Sequence, residues 1–248
     1  MVGSLLLRGM LVGIIAGLLA FGFARVFGEP PVDHAIAFEE QQAQAAGEAL
    51  EPELVSRSTQ AGIGLLTGIL VYGASIGGLF ALVFSYVQGR VSGFGPRSTA
   101  ALIALAGFVA IILVPQFKYP ANPPSVGDPE TIAARTELFF VLLIVSVLTM
   151  VASIGLASRL ASRYGIWNAW IAAVTAYVVV MGIAEYALPP INEVPEQFSA
   201  VVLWNFRIAS LGIQIILWTT IGVLFGAVAE RRLVDRRASR PLTGVAAR

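Results

Sequence analysis

Six uninterrupted apolar runs, each long enough to cross a lipid bilayer as a helix, constrain this chain more than any other feature. They are Leu5–Phe27, Ala61–Gln88, Ser98–Phe117, Leu138–Ala157, Ile166–Leu188 and Ile208–Ala229. A hydrocarbon core about 30 Å thick takes roughly 20 apolar residues of helix, and every run meets that length. Lipid offers no partner for backbone polar groups, so only helices and closed barrels span it. Continuous runs without two-residue alternation argue against a barrel. Composition agrees, with 57% hydrophobic and 12% charged residues, where soluble chains carry about 25% charged. The first run is too long for a signal-peptide core, and no A-x-A cleavage site follows. The expected fold is an all-α polytopic membrane protein. Six transmembrane helices form three hairpins with acidic, proline-rich outer loops, in one domain over residues 1–230, and a basic cytoplasmic tail follows at 231–248.

Orientation follows from Lys and Arg in the short loops. With both termini inside, eleven basic residues lie inside and five outside, while twelve of the fifteen acids fall in outer loops. The expected location is the bacterial inner membrane with both termini cytoplasmic. A net charge of +1 gives no reason to expect nucleic acid as a partner. Without cysteine there is no thiolate metal site, and one histidine, His34, excludes an imidazole cage from this chain. P-loop, G-x-S-x-G and H-E-x-x-H signatures are absent, so no enzyme activity is expected.

The hairpins share a pattern. Each outer loop returns to the membrane through a Pro-Glu step followed by one arginine: Glu51-Pro52-Glu53 then Arg57, Asp128-Pro129-Glu130 then Arg135, Val194-Pro195-Glu196 then Arg207. Proline and Glu in a first turn open helices well, so three ordinary helix starts and a threefold parallel repeat both fit. In the first loop, Val32–Ala49 reads as a polar helix opened by Pro30-Pro31. Glycines at four-residue spacing (Gly9/Gly13/Gly17, Gly64/Gly68, Gly73/Gly77, Gly222/Gly226) read either as tight helix packing or as a seam that opens in transport.

The candidate chemistry is acidic. Glu29 and Asp33 are four apart and share a helical face with Glu40, with His34 beside them; Asp128 and Glu130 lie in the second outer loop, Asn192, Glu193 and Glu196 in the third. Hard and borderline divalent cations favour oxygen-rich sites of this kind. The bland alternative is a set of solvated acidic loops. Glu185 lies inside the fifth run, where an ionisable group is costly and is a functional candidate by default. Pairing with Arg207 or Arg25 near the boundary would remove that cost, and Arg25 is expected to pair with Glu29.

Several stretches resemble the CbtA family of cobalt transporter subunits. They include FARVFGEP (residues 23–29 and Pro30), KYPANPP from Lys118 to Pro124, Gly127-Asp128-Pro129-Glu130-Thr131, Asn192-Glu193-Val194-Pro195 and the closing Trp204–Arg231 segment. The resemblance implies a cobalt uptake subunit linked to cobalamin biosynthesis, with a small, histidine-rich, single-span partner of the CbtB kind. It also implies five spans, where the hydropathy of this chain gives six. On this reading Glu29, Asp33, His34, Glu39, Asp128 and Glu193 collect the metal, and Asn122 and Glu185 pass it between helices. No resident cofactor is expected, Co²⁺ being cargo, and a homo-oligomer is compatible. Two alternatives stand beside this reading: a non-conducting membrane scaffold for a partner, or the vitamin-capturing subunit of an importer.

Overall fold

The structure, a computed structural model, describes residues 2–47, 54–90, 93–124, 126–127 and 130–238. The regular elements among them are all helices. Six are long and apolar enough to cross a membrane: Gly3–Ala46, Arg57–Val87, Pro96–Lys118, Ile132–Tyr164, Ile166–Ala187 and Ala200–Arg231. Each apolar run therefore becomes one rod, one more than the resemblance implied. This is an integral membrane protein.

Three of the rods change register on the way. The first runs α1 (Val2–Phe23), a π-helical turn π1 (Ala24–Gly28) and α2 (Glu29–Ala46) without a break. The apolar run ends at Phe27, and the helix carries on through both prolines, so the polar segment read as a second helix continues the first rod. Proline lacks an N–H and its ring crowds the carbonyl four residues back. For Pro30 and Pro31 those carbonyls belong to Val26 and Phe27, both within π1, where the wider turn makes room. The same reasoning covers the third rod, built from α5 (Pro96–Gly107), π3 (Phe108–Leu113) and α6 (Val114–Lys118). There Pro115 crowds Ile111. The second rod, α3 (Arg57–Thr59), π2 (Gln60–Gly64) and α4 (Leu65–Val87), has no proline. Its wide turn uses glycine instead, since a Cβ on Gly64 would lie 3.2 Å from the Thr59 carbonyl oxygen.

Helix openings also differ from expectation. The first Pro-Glu step, Glu51–Glu53, lies outside the described residues; the helix it was meant to open starts at Arg57, capped by Ser56, whose hydroxyl accepts from the Thr59 N–H at 3.4 Å. In the third loop Pro195 does not open the helix. Its carbonyl closes a turn with the Phe198 N–H at 3.0 Å, and α9 (Ala200–Ala238) starts later. The basic tail begins as part of α9, and residues 239–248 lie outside the described residues. α7 (Ile132–Tyr164) and α8 (Ile166–Ala187) are joined by Gly165 alone, whose φ of +80° suits glycine.

Contacts divide the chain into two units. One comprises residues 1–18, 69–105 and 217–248, and the glycines explain its packing. A Cβ on Gly13 would collide with the Gly73 carbonyl oxygen, and one on Gly9 would lie 2.7 Å from Ala81 Cβ, against Gly77. The two backbones touch, as small residues permit in lipid. Gly222 faces Ala104 in the same way, at 2.6 Å. Phe225 closes this unit, edge-to-face with Phe80 and Phe84 at 5.4 and 5.1 Å, and Arg97 Nε meets Glu230 at 2.6 Å. Gly68, in contrast, would place a Cβ in open space. Its spacing does not serve packing within this chain.

The other unit comprises residues 19–68 and 106–216. α7 and α8 pack along their lengths around Leu142, Tyr177 and Met181, joined by Val114 and Tyr119. The Ser146 and Tyr177 hydroxyls share a buried hydrogen bond of 2.8 Å, so neither faces lipid unsatisfied. A second apolar cluster draws the three acidic loops together: Ala35 from α2, Val126 from the second loop and Phe198 from the third. Phe38 meets Phe198 edge-to-face at 5.1 Å.

Candidate functional site

The polar heart of this second unit is made by three arginines, each opening or just inside the first turns of a rod. Arg57 stands at the first position of α3, where the Ser56 cap fixes the backbone. Its Nη2 donates to Glu29 Oε2, and its Nε donates to Asp33 Oδ1 at 2.9 Å. Glu29 and Asp33 sit one turn apart on α2, so one forked guanidinium spans both carboxylates. The Glu29 side chain is 11% exposed, that of Asp33 61%. Arg25 Nη1 reaches the same Glu29 oxygen at 3.9 Å, so the expected Arg25–Glu29 pair exists but is the weaker of two.

Arg135 and Arg207 act on the proline-rich turn Tyr119–Pro124. Prolines cannot extend a ladder of hydrogen bonds, so their carbonyls must find other donors. Arg135 Nη2 donates to the Pro120 carbonyl. Arg207 donates from Nε to the Ala121 carbonyl at 3.2 Å and from Nη2 to Asn122 Oδ1 at 3.0 Å. The Tyr119 hydroxyl donates to the Pro189 carbonyl at 2.9 Å, tying the second loop to the third. Burial pushes the Tyr119 phenol above its ordinary value of 10.0.

Arg135 also makes the most enclosed ion pair among the described residues. Its Nη1 lies 3.2 Å from Glu193 Oε2, and the Glu193 side chain is 2% exposed. Thr131 Oγ1 donates to the other oxygen, Oε1, at 2.9 Å. A buried carboxylate is tolerable only with such partners.

The eight residues nominated from sequence are thus not brought to one point. Glu29 and Asp33 form one group under Arg57, with His34 and Glu39 exposed further along α2. Glu193 and Asn122 belong to the arginine-held loops. Half-buried Glu185 has Lys118 as its charged neighbour, rather than Arg207 or Arg25. Asp128 lies outside the described residues. Among the described residues no group of three or more His, Asp or Glu is close enough to hold a metal ion. Sequence reading passed over the arginines as site residues, although their recurrence after each Pro-Glu step was the available signal. Thr131 was marked only as the last residue of the Gly127–Thr131 stretch, not as a site residue.

The family model of CbtA, described as "probable cobalt transporter subunit", matches residues 2–230. The chain belongs to the CbtA family. A UPF0324 membrane protein of Agrobacterium fabrum is 32% identical to this CbtA-family chain over 167 residues, which is 67% of the chain and 44% of that protein. The chain therefore spans less than half the length of that relative. No solved structure matches.

Proposed function

We propose that this chain is the membrane subunit of a divalent-metal uptake transporter whose cargo is Co²⁺, set in the bacterial inner membrane with both termini cytoplasmic. The match to the cobalt transporter family across residues 2–230 carries this reading. The excess of arginine in the inner links and of acid in the outer loops supports the orientation. A single histidine leaves imidazole ligands, which Co²⁺ accepts well, to a small histidine-rich single-span subunit of the CbtB kind. Cobalamin biosynthesis would be the consumer.

The geometry suggests how capture works. Carboxylates concentrate cations at the loop face by focusing the field, but Glu29, Asp33 and Glu193 each already hold a guanidinium. An arriving cation exchanges for an arginine rather than filling a cage. His34 and Glu39 extend the collecting face, and Asp128 would add a further carboxylate. Asn122 and Glu185 would pass the ion inward.

A scaffold without its own conducting path is the second reading. It is favoured by the absence, among the described residues, of any three-ligand group. Radiolabelled Co²⁺ uptake separates the two, using vesicles that hold this chain, its small partner, both or neither. Conduction predicts uptake that needs this chain and falls in a Glu193→Gln, Asp128→Asn double variant that still inserts. Equal uptake by the partner alone would overturn the transport reading.

A further inference from the structure

The α7–α8 turn carries a feature that the transport reading leaves unused. A cleft of about 350 Å³ opens between the last turns of α7 and the first turns of α8, lined by Leu160, Tyr164, Asn168 and Ala172. Its walls are fixed by short-range bonds. The Asn168 side-chain amide donates to the Tyr164 carbonyl at 3.0 Å, which caps α7 across Gly165. The lining is apolar apart from the tyrosine hydroxyl and the asparagine amide, a shape suited to hydrocarbon with one polar end.

Charge around the α7–α8 turn is of one sign. Arg159 and Arg163 lie one turn apart on α7, each next in sequence to a cleft-lining residue, Leu160 and Tyr164, and both are exposed. No acid occurs between Glu137 and Glu185 in the sequence, and neither arginine has a carboxylate partner among the described residues. Arg97, in another inner link, pairs with Glu230. The C-terminal end of α7 and the N-terminal end of α8 meet here, so their opposed dipoles largely cancel and the arginines set the local potential.

Depth is marked by aromatics. Trp167 is 78% exposed, Tyr164 52% and Trp170 41%, and the Arg163 guanidinium lies 5.4 Å from the Tyr164 ring centroid. Amphipathic rings of this kind settle at the level of lipid headgroups. Basic pockets between helices at that level bind acidic headgroups.

We propose that this cleft seats one anionic phospholipid, its phosphate held by Arg159 and Arg163 and one acyl chain lying against Leu160 and Ala172. The site is independent of what the protein transports and of which way it faces. Native mass spectrometry of the full chain, released from membranes holding equal amounts of phosphatidylglycerol and phosphatidylcholine, tests it. One phosphatidylglycerol should be retained over phosphatidylcholine by roughly tenfold or more, since each arginine near an anionic surface contributes on the order of 1 kcal/mol. The Arg159→Gln, Arg163→Gln double variant should lose that preference, and Arg90→Gln, in a different inner link, should keep it. Ala172→Trp fills the cleft without touching charge and should also expel the lipid, which covers the case in which the double variant fails to fold. Millimolar inorganic phosphate should not compete. Equal retention of both lipids, preference unchanged in both cleft variants, or displacement by free phosphate would each overturn the proposal.

Discussion

Arg135 Nη1 stands 3.2 Å from Glu193 Oε2, and the carboxylate of that pair is 2% exposed while the arginine is 23% exposed. The asymmetry decides which partner can be lost. Without Arg135 the acid is buried and uncompensated, whereas without Glu193 the guanidinium keeps the Pro120 carbonyl and some solvent.

Arg135→Gln should therefore destabilise the chain by about 3 kcal/mol or more, the range for a buried pair broken on one side. Glu193→Gln should cost less, because the amide oxygen can still accept from Thr131. Thermal unfolding in detergent, arranged as a double-mutant cycle, should give a double variant well short of the summed single losses. Additive losses would mean that the pair contributes nothing as a pair.

The packing glycines give predictions of opposite sign. In a helix interior Gly→Ala gains about 1 kcal/mol of helix propensity when there is room. Gly68 has that room, so Gly68→Ala should be neutral or stabilising. Gly13 has none, because its Cβ would meet the Gly73 carbonyl, and Gly13→Ala should lower the unfolding midpoint. Matching shifts for the two would mean that the backbones do not touch.

Arginine exchange is testable at Arg57. If the guanidinium competes with an incoming cation, Arg57→Gln should raise the affinity of the purified chain for Co²⁺ several-fold, about fivefold for a competitor worth about 1 kcal/mol. Isothermal calorimetry reads this directly. Unchanged or weaker binding would exclude Glu29 and Asp33 as an arginine-masked site.

Tyr119 sets an alkaline limit. Its phenol is raised in the folded state by burial, so its contribution is fully present below pH 10 and is lost as pH climbs through the higher folded value. Tyr119→Phe loses the hydrogen bond to Pro189 and should be about 1 kcal/mol less stable near pH 8. It has no proton to lose, so the gap should narrow above pH 10. Unfolding midpoints between pH 8 and 11 would check this, and a constant gap would count against it.

Hydropathy alone revealed the six rods, because lipid leaves the backbone no alternative to helix. The bounds were less legible. Pro30-Pro31 read as the opening of a separate polar helix, yet a wide turn upstream lets one rod run through both. Pro195 looked like an opener and closes a turn instead. The acids at 29, 33 and 193 stood out by charge, but charge does not tell which cation already sits on an acid. Arg135 and Glu193 meet only because Val126, Phe198 and Ala35 draw the loops together, and no local pattern encodes such a distant meeting.

The widened turn Gln60–Gly64 has a mechanical consequence for the arginine before it. Each helical residue advances about 100° around the axis, so the surplus residue there sets the azimuth at which Arg57 leaves its rod. Resolving that wide turn into ordinary α-helix, with the residues after Gly64 held in place, would swing the guanidinium about a quarter circle away from α2. Asp33 would then be bare and Glu29 left with Arg25 alone, through a rotation that needs no unpaired amide in the lipid.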